Sequence, residues 1–406
     1  MEFETYVLSN GIKLIHHRVA SQVAHCGFFI NTGSRDELEH EHGIAHFIEH
    51  LFFKGTQKRK VFHILSRLED VGGELNAYTT KEETCIHASF LKEYYGRAIE
   101  LIGDILFHST FPVKAIDSER EVIMDEINSY KDSPSELIFD DYEDYFFSNH
   151  ALGRNILGTS KRLKKIKRED ILGFIGRNYN TDQMVFATVG DISFNRLVYL
   201  FERHFAHIPH NFRTTKRVAF STYRPFNLAL RKGTFQIHAV LGNLGYSFMD
   251  PRRMGLHLLT NIIAGPGMIS RLNLALRERK GYSYNIESSY SPYSDIGLFT
   301  VYFSTDKTYL DKCLDIIDKE FNILRTKPLG AIQLKKAKQQ IIGQLAISYE
   351  SNENQMLSIG KSYLVYNKVD TLEEIVSKIE SVSASELMDI ANDVLDKNQL
   401  SILMYK

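Results

Sequence analysis

Gly43-Ile-Ala-His-Phe-Ile-Glu-His-Leu-Phe-Phe-Lys-Gly-Thr56 is the stretch on which the reading of this chain turns. It contains His46-x-x-Glu49-His50. In a helix, where residues advance by about 100° each, His46 and His50 stand one turn apart on one face, with Glu49 beside them. Ile44, Phe47, Ile48 and Leu51 then form an apolar stripe that anchors the opposite face in a core. Two imidazoles at i, i+4 can hold one metal ion, and a neighbouring carboxylate can act on a water there. The order reverses the common His-Glu-x-x-His zinc pattern. A lone histidine on such a helix would read as structural; here all three chemical groups share the polar side.

The rest of the chain sets the bounds. Its 406 residues suggest two or three domains, and 43% hydrophobic with 24% charged residues is enough to bury full cores. A formal net charge of −1 gives no reason to expect nucleic acid or an anionic membrane as partner. Cys26, Cys85 and Cys313, odd in number and widely spaced, read as buried free thiols. The start Met-Glu-Phe-Glu-Thr-Tyr lacks the marks of a signal or transit peptide, and no apolar run is long enough to span a bilayer, so the cytoplasm is the expectation.

Tyr6–Ile15 reads as two strands about an Asn10-Gly11 turn, and Val23–Thr32 as a third strand. After the motif helix come a helix over Phe62–Val71, paired strands at Leu75–Thr80 and Thr84–Phe90, and helices at Tyr94–His108, Ser118–Tyr130 and Leu163–Asn178. Met184–Val189 closes the series as a strand. Periodicity then fades into a linker placed at 209–226. Beyond it the order begins again: a strand at Gln236–Ser247, helices at Arg253–Ile263 and Met268–Glu278, strands at Ser283–Tyr290 and Gly297–Ser304, and a helix at Leu310–Arg325. Ile64-Leu-Ser-Arg-Leu68 echoes Met268-Ile-Ser-Arg-Leu272, while Met254–Asn261, the counterpart of the motif helix, has no ligand pattern. The expectation is an α+β chain of two homologous domains, 1–208 and 227–406, each a largely antiparallel sheet packed with helices.

A catalytic zinc needs a third protein ligand. Ser118–Ile127 offers Glu119 and Glu126, seven positions apart on one helical face, which on their own also fit a solvated charged surface. The sequence resembles the pitrilysin/insulinase family of zinc endopeptidases, in particular the branch of mitochondrial processing peptidase and its bacterial relatives. That family pairs the inverted motif with a downstream glutamate, and Glu126, 76 positions after His50 (126 − 50), matches it. The resemblance implies Zn2+, one per chain, on His46, His50 and Glu126, with Glu49 as base and Glu119 supporting the site. Gly73-x-x-Asn76-Ala77-Tyr78-Thr79 resembles the family strand that pairs with bound peptide, so Asn76 and Ala77 are implied as substrate-binding. His150–Thr159 resembles another family block, and Arg277 and Tyr284 resemble an Arg and a Tyr, seven positions apart, that reach the substrate. Glu136 and Asp140, at i, i+4, resemble a carboxylate pair linked to recognition of an arginine before the cleavage site.

The resemblance further implies half of a clamshell chamber closed by a second chain, identical or paralogous, and admitting peptides or unfolded segments. Two other classes stay open. One is a non-catalytic scaffold subunit of a heterodimeric peptidase; the other is a binding module with structural zinc, which would normally need four protein ligands.

Overall fold

The Asn10-Gly11 turn gives the first hairpin, β1 (Glu4–Val7) and β2 (Lys13–Arg18), in the computed structural model, which describes residues 3–406. Gly11 sits at φ +95°, the left-handed region that favours glycine, while Leu8 N–H reaches the Ile12 carbonyl at 2.9 Å. There follow β3 (Val23–Ile30), α1 (Ile44–Leu51), α2 (Val61–Glu69), β4 (Glu74–Thr79), β5 (Thr84–Leu91), α3 (Tyr95–His108), α4 (Val113–Lys131) and α5 (Pro134–Phe146). The basic helix expected over Leu163–Asn178 is broken into α6 (Ser160–Leu163) and α7 (Arg168–Asn178). Arg120 holds the break, its guanidinium donating to the carbonyl of Leu163 at 3.0 Å, which also accepts the Ile166 N–H, and to that of Ile166 at 2.9 Å. β6 (Met184–Gly190) and α8 (Phe194–Phe205) complete the series.

The second series runs β7 (Asn227–Leu230), β8 (Ile237–Gly245), α9 (Arg253–Ala264), β9 (Asn285–Pro292), β10 (Gly297–Thr305), α10 (Leu310–Thr326), α11 (Ala331–Tyr349), α12 (Asn352–Tyr366), α13 (Leu372–Ser381), α14 (Ala384–Val394) and β11 (Ser401–Tyr405). The continuous helix expected over Met268–Glu278 is not formed. Gly265, Pro266 and Gly267 hold the chain in a bend, and the helical turn begins only after Ser270, wound wide over Asn273–Glu278.

The two sheets share one plan. The first has the order β1-β2-β6-β3-β5-β4 and the second β7-β11-β8-β10-β9. In each, one pair is parallel (β2 with β6, β7 with β11) and the other neighbours are antiparallel. Leaving β1 aside, the five strands of each half occur in the same chain order and occupy the same positions, as duplication requires. Each half is therefore a largely antiparallel sheet with helices.

The compact units are interleaved along the chain. One comprises 1–128, 154–218 and 347–371; the other 129–153, 219–346 and 372–406. Thus α12, from the second series, packs on β3 and β6, whereas α5, from the first, packs on β8 and β11. In the first unit Phe29, Val185 and Ala187 meet Met356 and Ile359 of α12. Gly360 lies so close that a Cβ there would stand 2.2 Å from the Phe29 ring. In the second unit Ile138, Tyr142 and Phe146 of α5 pack with Val240, Tyr302 and Leu403. The other face of the first sheet carries an aromatic cluster in which the Phe205 ring lies 5.2 Å from Phe201, 5.3 Å from Phe28 and 5.9 Å from Phe186.

The segment read as a linker has no regular secondary structure, but it is anchored. Arg213 and Arg217 meet the buried Asp36 carboxylate at 2.5 and 2.8 Å, and Arg35 meets Glu82 at 2.7 Å beside them.

Candidate metal centre

The motif helix is held from its first residue. Gly43, at φ +96°, stands where a Cβ would lie 2.8 Å from the Cα of Gly158, so the two glycines permit a backbone crossing that side chains would block. The buried Glu37 carboxyl accepts the N–H groups of Gly43 and Ala45, both at 3.0 Å, and so satisfies donors that a helix start leaves free. Ile44, Phe47, Ile48 and Leu51 are fully buried, which fixes the opposite face outward. With Ala45, these buried anchors over two turns leave little freedom to rotate, and the two imidazoles inherit that rigidity.

His46 and His50 point their rings at one another, centroids 4.6 Å apart. Glu126 arrives from α4: its Oε2 lies 3.9 Å from His46 Nε2 and 3.7 Å from His50 Nε2. One ligand atom from each of the three falls within 4.8 Å of the others. Bonds of ~2.1 Å in a tetrahedral zinc site put ligand atoms roughly 3.4 Å apart, so the two Glu126 separations of 3.9 and 3.7 Å need close by only a few tenths of an ångström. Burial pushes the His46 imidazole down to about 4, with the neighbouring His50 adding to the effect, which keeps it in the neutral form that binds metal. Two imidazoles and one glutamate are a donor set suited to zinc.

Glu119, one helical face with Glu126 but a turn pair earlier, does a different thing. Its Oε2 lies 3.4 Å from His50 Nδ1, the far side of that ring, and its Oε1 lies 2.7 Å from Lys54 Nζ. Lys54 stands in the motif stretch itself, four positions after His50, and the sequence reading assigns it nothing. Glu49 lies outside the three-ligand set. Burial raises its carboxyl above the usual range, opposed by the Thr79 side chain and His50 and reinforced by Glu126. A carboxylate of raised basicity beside the ligand set is suited to moving a proton.

Asn76 and Ala77 lie on β4, the edge of the first sheet, paired with His87 and Ile86 of β5. The exposed Asn76 and half-buried Ala77 thus belong to a strand with an open side among the described residues, available for β-augmentation. The remaining expected residues belong to the second unit. Arg277 sits on the wide helical turn, its Nε 3.6 Å from Glu278, and Tyr284 is 72% exposed just before β9. Glu136 is exposed and Asp140 half-buried, one turn apart on α5.

Comparison with known proteins covers the whole chain. The family model described as "Insulinase (Peptidase family M16)" matches residues 14–160, and "Peptidase M16 inactive domain" matches 165–341. A Bacillus subtilis protein named uncharacterized zinc protease YmxG is 31% identical over 97% of this chain and 96% of its own length. The β subunit of the mitochondrial-processing peptidase of Saccharomyces cerevisiae is 28% identical over 98% of this chain and 90% of its own. Among solved structures, the M16 inactive-domain protein of Pseudomonas fluorescens superposes with TM-score 0.92, covering 100% of this chain and 98% of that one at 18% identity. A Helicobacter pylori protease superposes with TM-score 0.90 at 19% identity, covering 100% of this chain and 99% of that one. Among the described residues no helix is long and apolar enough to cross a membrane.

Proposed function

The chain belongs to the insulinase family of peptidases, M16, and from that premise we propose that it is a zinc-dependent endopeptidase. The observation that carries this reading is the convergence of His46, His50 and Glu126 from two helices, with Glu49 beside them but outside the ligand set. Zinc bound there would supply Lewis acidity toward a peptide carbonyl and toward a water. Glu49 takes a proton from the attacking water and returns it to the leaving amine. Glu119 orients His50, and β4 at Asn76 and Ala77 holds an extended peptide as an added strand, which selects unfolded segments. On the family resemblance, Arg277 and Tyr284 contact the substrate near the reacting carbonyl, and a second chain, identical or paralogous, completes a chamber. Glu136 and Asp140 favour an arginine near the cleavage site.

The relatives named as zinc proteases support the enzyme reading, and the one named as a subunit supports a partner chain. A purely non-catalytic scaffold would have no use for His46, His50 and Glu126 gathered at one point with Glu49 beside them. The test is metal analysis with a cleavage assay on an unstructured peptide. One zinc per chain is expected, with cleavage lost on chelation and restored by added zinc. Cleavage that survives metal removal, or a protein that takes up no zinc, overturns the reading.

A further inference from the structure

Lys54 leaves α1 on a backbone clamped from several sides. Its N–H closes on the Leu51 carbonyl at 3.1 Å, and Gly55, at φ +131°, turns the chain and accepts the Thr110 N–H at 3.1 Å. Gln57 N–H reaches the His108 carbonyl at 2.9 Å, and Thr56 Oγ1 donates to Asp104 Oδ2 at 2.8 Å. The loop is thus pinned to the junction of α3 and α4, and the lysine is aimed back at α4. Its ammonium lies 2.7 Å from Glu119 Oε1, in a pair whose side chains are 30% and 8% exposed.

We propose that Lys54 is a positioning residue for the metal centre: it holds Glu119 so that the second carboxylate oxygen takes the His50 Nδ1–H, leaving the Nε2 lone pair for the metal. The inference rests on the zinc reading above. A neutral imidazole carries its proton on one nitrogen, and the partner of that nitrogen decides which one remains to bind metal. Glu119 Oε2 at 3.4 Å is that partner for His50, while His46 Nδ1 is buried with no hydrogen-bond partner. Only one of the two imidazoles therefore has its tautomer set by a neighbour, and that neighbour is set by Lys54. An ion pair serving stability alone would not need its far oxygen on a ring.

The experiment compares full-length wild type with Lys54→Met, Lys54→Gln, Glu119→Gln and Lys54→Met/Glu119→Gln, measuring zinc affinity by chelator competition and the His50 tautomer by ¹⁵N NMR. Loss of such an outer partner typically weakens metal affinity by about 10–100-fold. K54M should show a loss in that range with the Nδ1–H signal of His50 diminished, and K54Q, which can still donate to Glu119, a smaller one. K54M should add little in the E119Q background. Wild-type zinc affinity in folded K54M, a loss in K54Q as large as in K54M, or equal losses with and without Glu119, overturns the proposal. His50→Ala retaining wild-type affinity would instead overturn the metal-site reading itself.

Discussion

The first and second halves of this molecule share a strand plan and differ at one corner. In the first, α1 and the edge strand β4 flank two imidazoles, and α4 brings the Glu119 and Glu126 carboxylates to them. In the second, α9 and the edge strand β9 flank His257 alone, its ring 4.6 Å from Tyr290. The helix in the position of α4, α11, contains no acidic residue at all. Where the first half gathers candidate ligands, the second has an open, largely apolar pocket of about 400 Å³ lined by Met254, His257, Ile341, Leu345, Ile375 and Ile379 among others. The same backbone therefore accepts a charged cluster or an oily pocket. Chemistry here belongs to side chains on two helices, not to the sheet plan.

The sharpest way to break that comparison is to disable one corner and then the other. Glu49→Gln should keep its zinc and lose about 10²–10⁴-fold in kcat, since an amide cannot accept the proton. His257→Phe, at the counterpart corner, should leave zinc content and kcat near wild type. A His257 variant that lost zinc, or a Glu49 variant of normal turnover, would show that the division of labour is misplaced.

Acid should then strike both halves alike. Burial pushes His16, in the first sheet, and His257, on α9, down to about 4, against about 6.5 in an unfolded chain. The backbone carbonyls of Thr188 and Ile192, each 3.3 Å from the His16 ring, oppose that shift without cancelling it. Above pH 6.5 neither residue favours unfolding. As pH falls from about 6.5 to 4 the unfolded chain takes protons that the folded one refuses, so stability is lost, by up to about 3 kcal/mol per residue. Urea midpoints at pH 7.5 and 4.5 should draw together in His16→Gln and His257→Gln. An unchanged gap in both variants would contradict the burial argument.

The smallest effect concerns α5, whose sequence lies in the first half and whose packing lies in the second. If Glu136 and Asp140 read an arginine two residues before the scissile bond, replacing it by citrulline should lower kcat/KM about tenfold or more, consistent with a charge-assisted pair worth ~1.5–3 kcal/mol. The Glu136→Gln/Asp140→Asn variant should be nearly indifferent to that replacement. Equal cleavage of both peptides by the wild type would reduce the pair to ordinary surface.

Much of the fold was legible because local patterns agree with it. β-Branched and aromatic content marked β3, the Asn10-Gly11 turn marked the first hairpin, the charged Lys81-Glu82-Glu83 turn marked the β4–β5 pair, and the repeat of element order anticipated two like sheets. Cys26, Cys85 and Cys313 are indeed free and buried. The failures have physical reasons. Helical periodicity continued through 164–167, where Arg120 from a distant helix takes the carbonyls. The sequence expectation has no helix at α8, although Leu197, Leu200, Phe201 and Phe205 follow a 3–4 spacing there, because the stretch sits between the closing strand and the linker. At the metal centre, Glu119 and Glu126 share a helical face, so periodicity alone cannot rank them. Their separation into one group near both Nε2 atoms and one behind Nδ1 depends on how α4 lies against α1, which no local pattern encodes. Lys54 was hidden for the same reason, since its partner is 65 positions away (119 − 54).

The traded helices α5 and α12 bear on how such a chain can be divided, by experiment or by evolution. A cut in the 209–226 segment would release two polypeptides that each carry a helix foreign to their own sheet and lack the one that sheet requires. The first fragment would bare Phe29, Val185 and Ala187; the second would bare Val240, Tyr302 and Leu403. At roughly 1.5–3 kcal/mol for each large apolar side chain returned to water, neither sheet has an independent native state to fall back on. Separately expressed pieces should therefore be insoluble alone and regain structure only when mixed. Sequence duplication has here produced two modules that are repeats in topology but a single unit of inheritance.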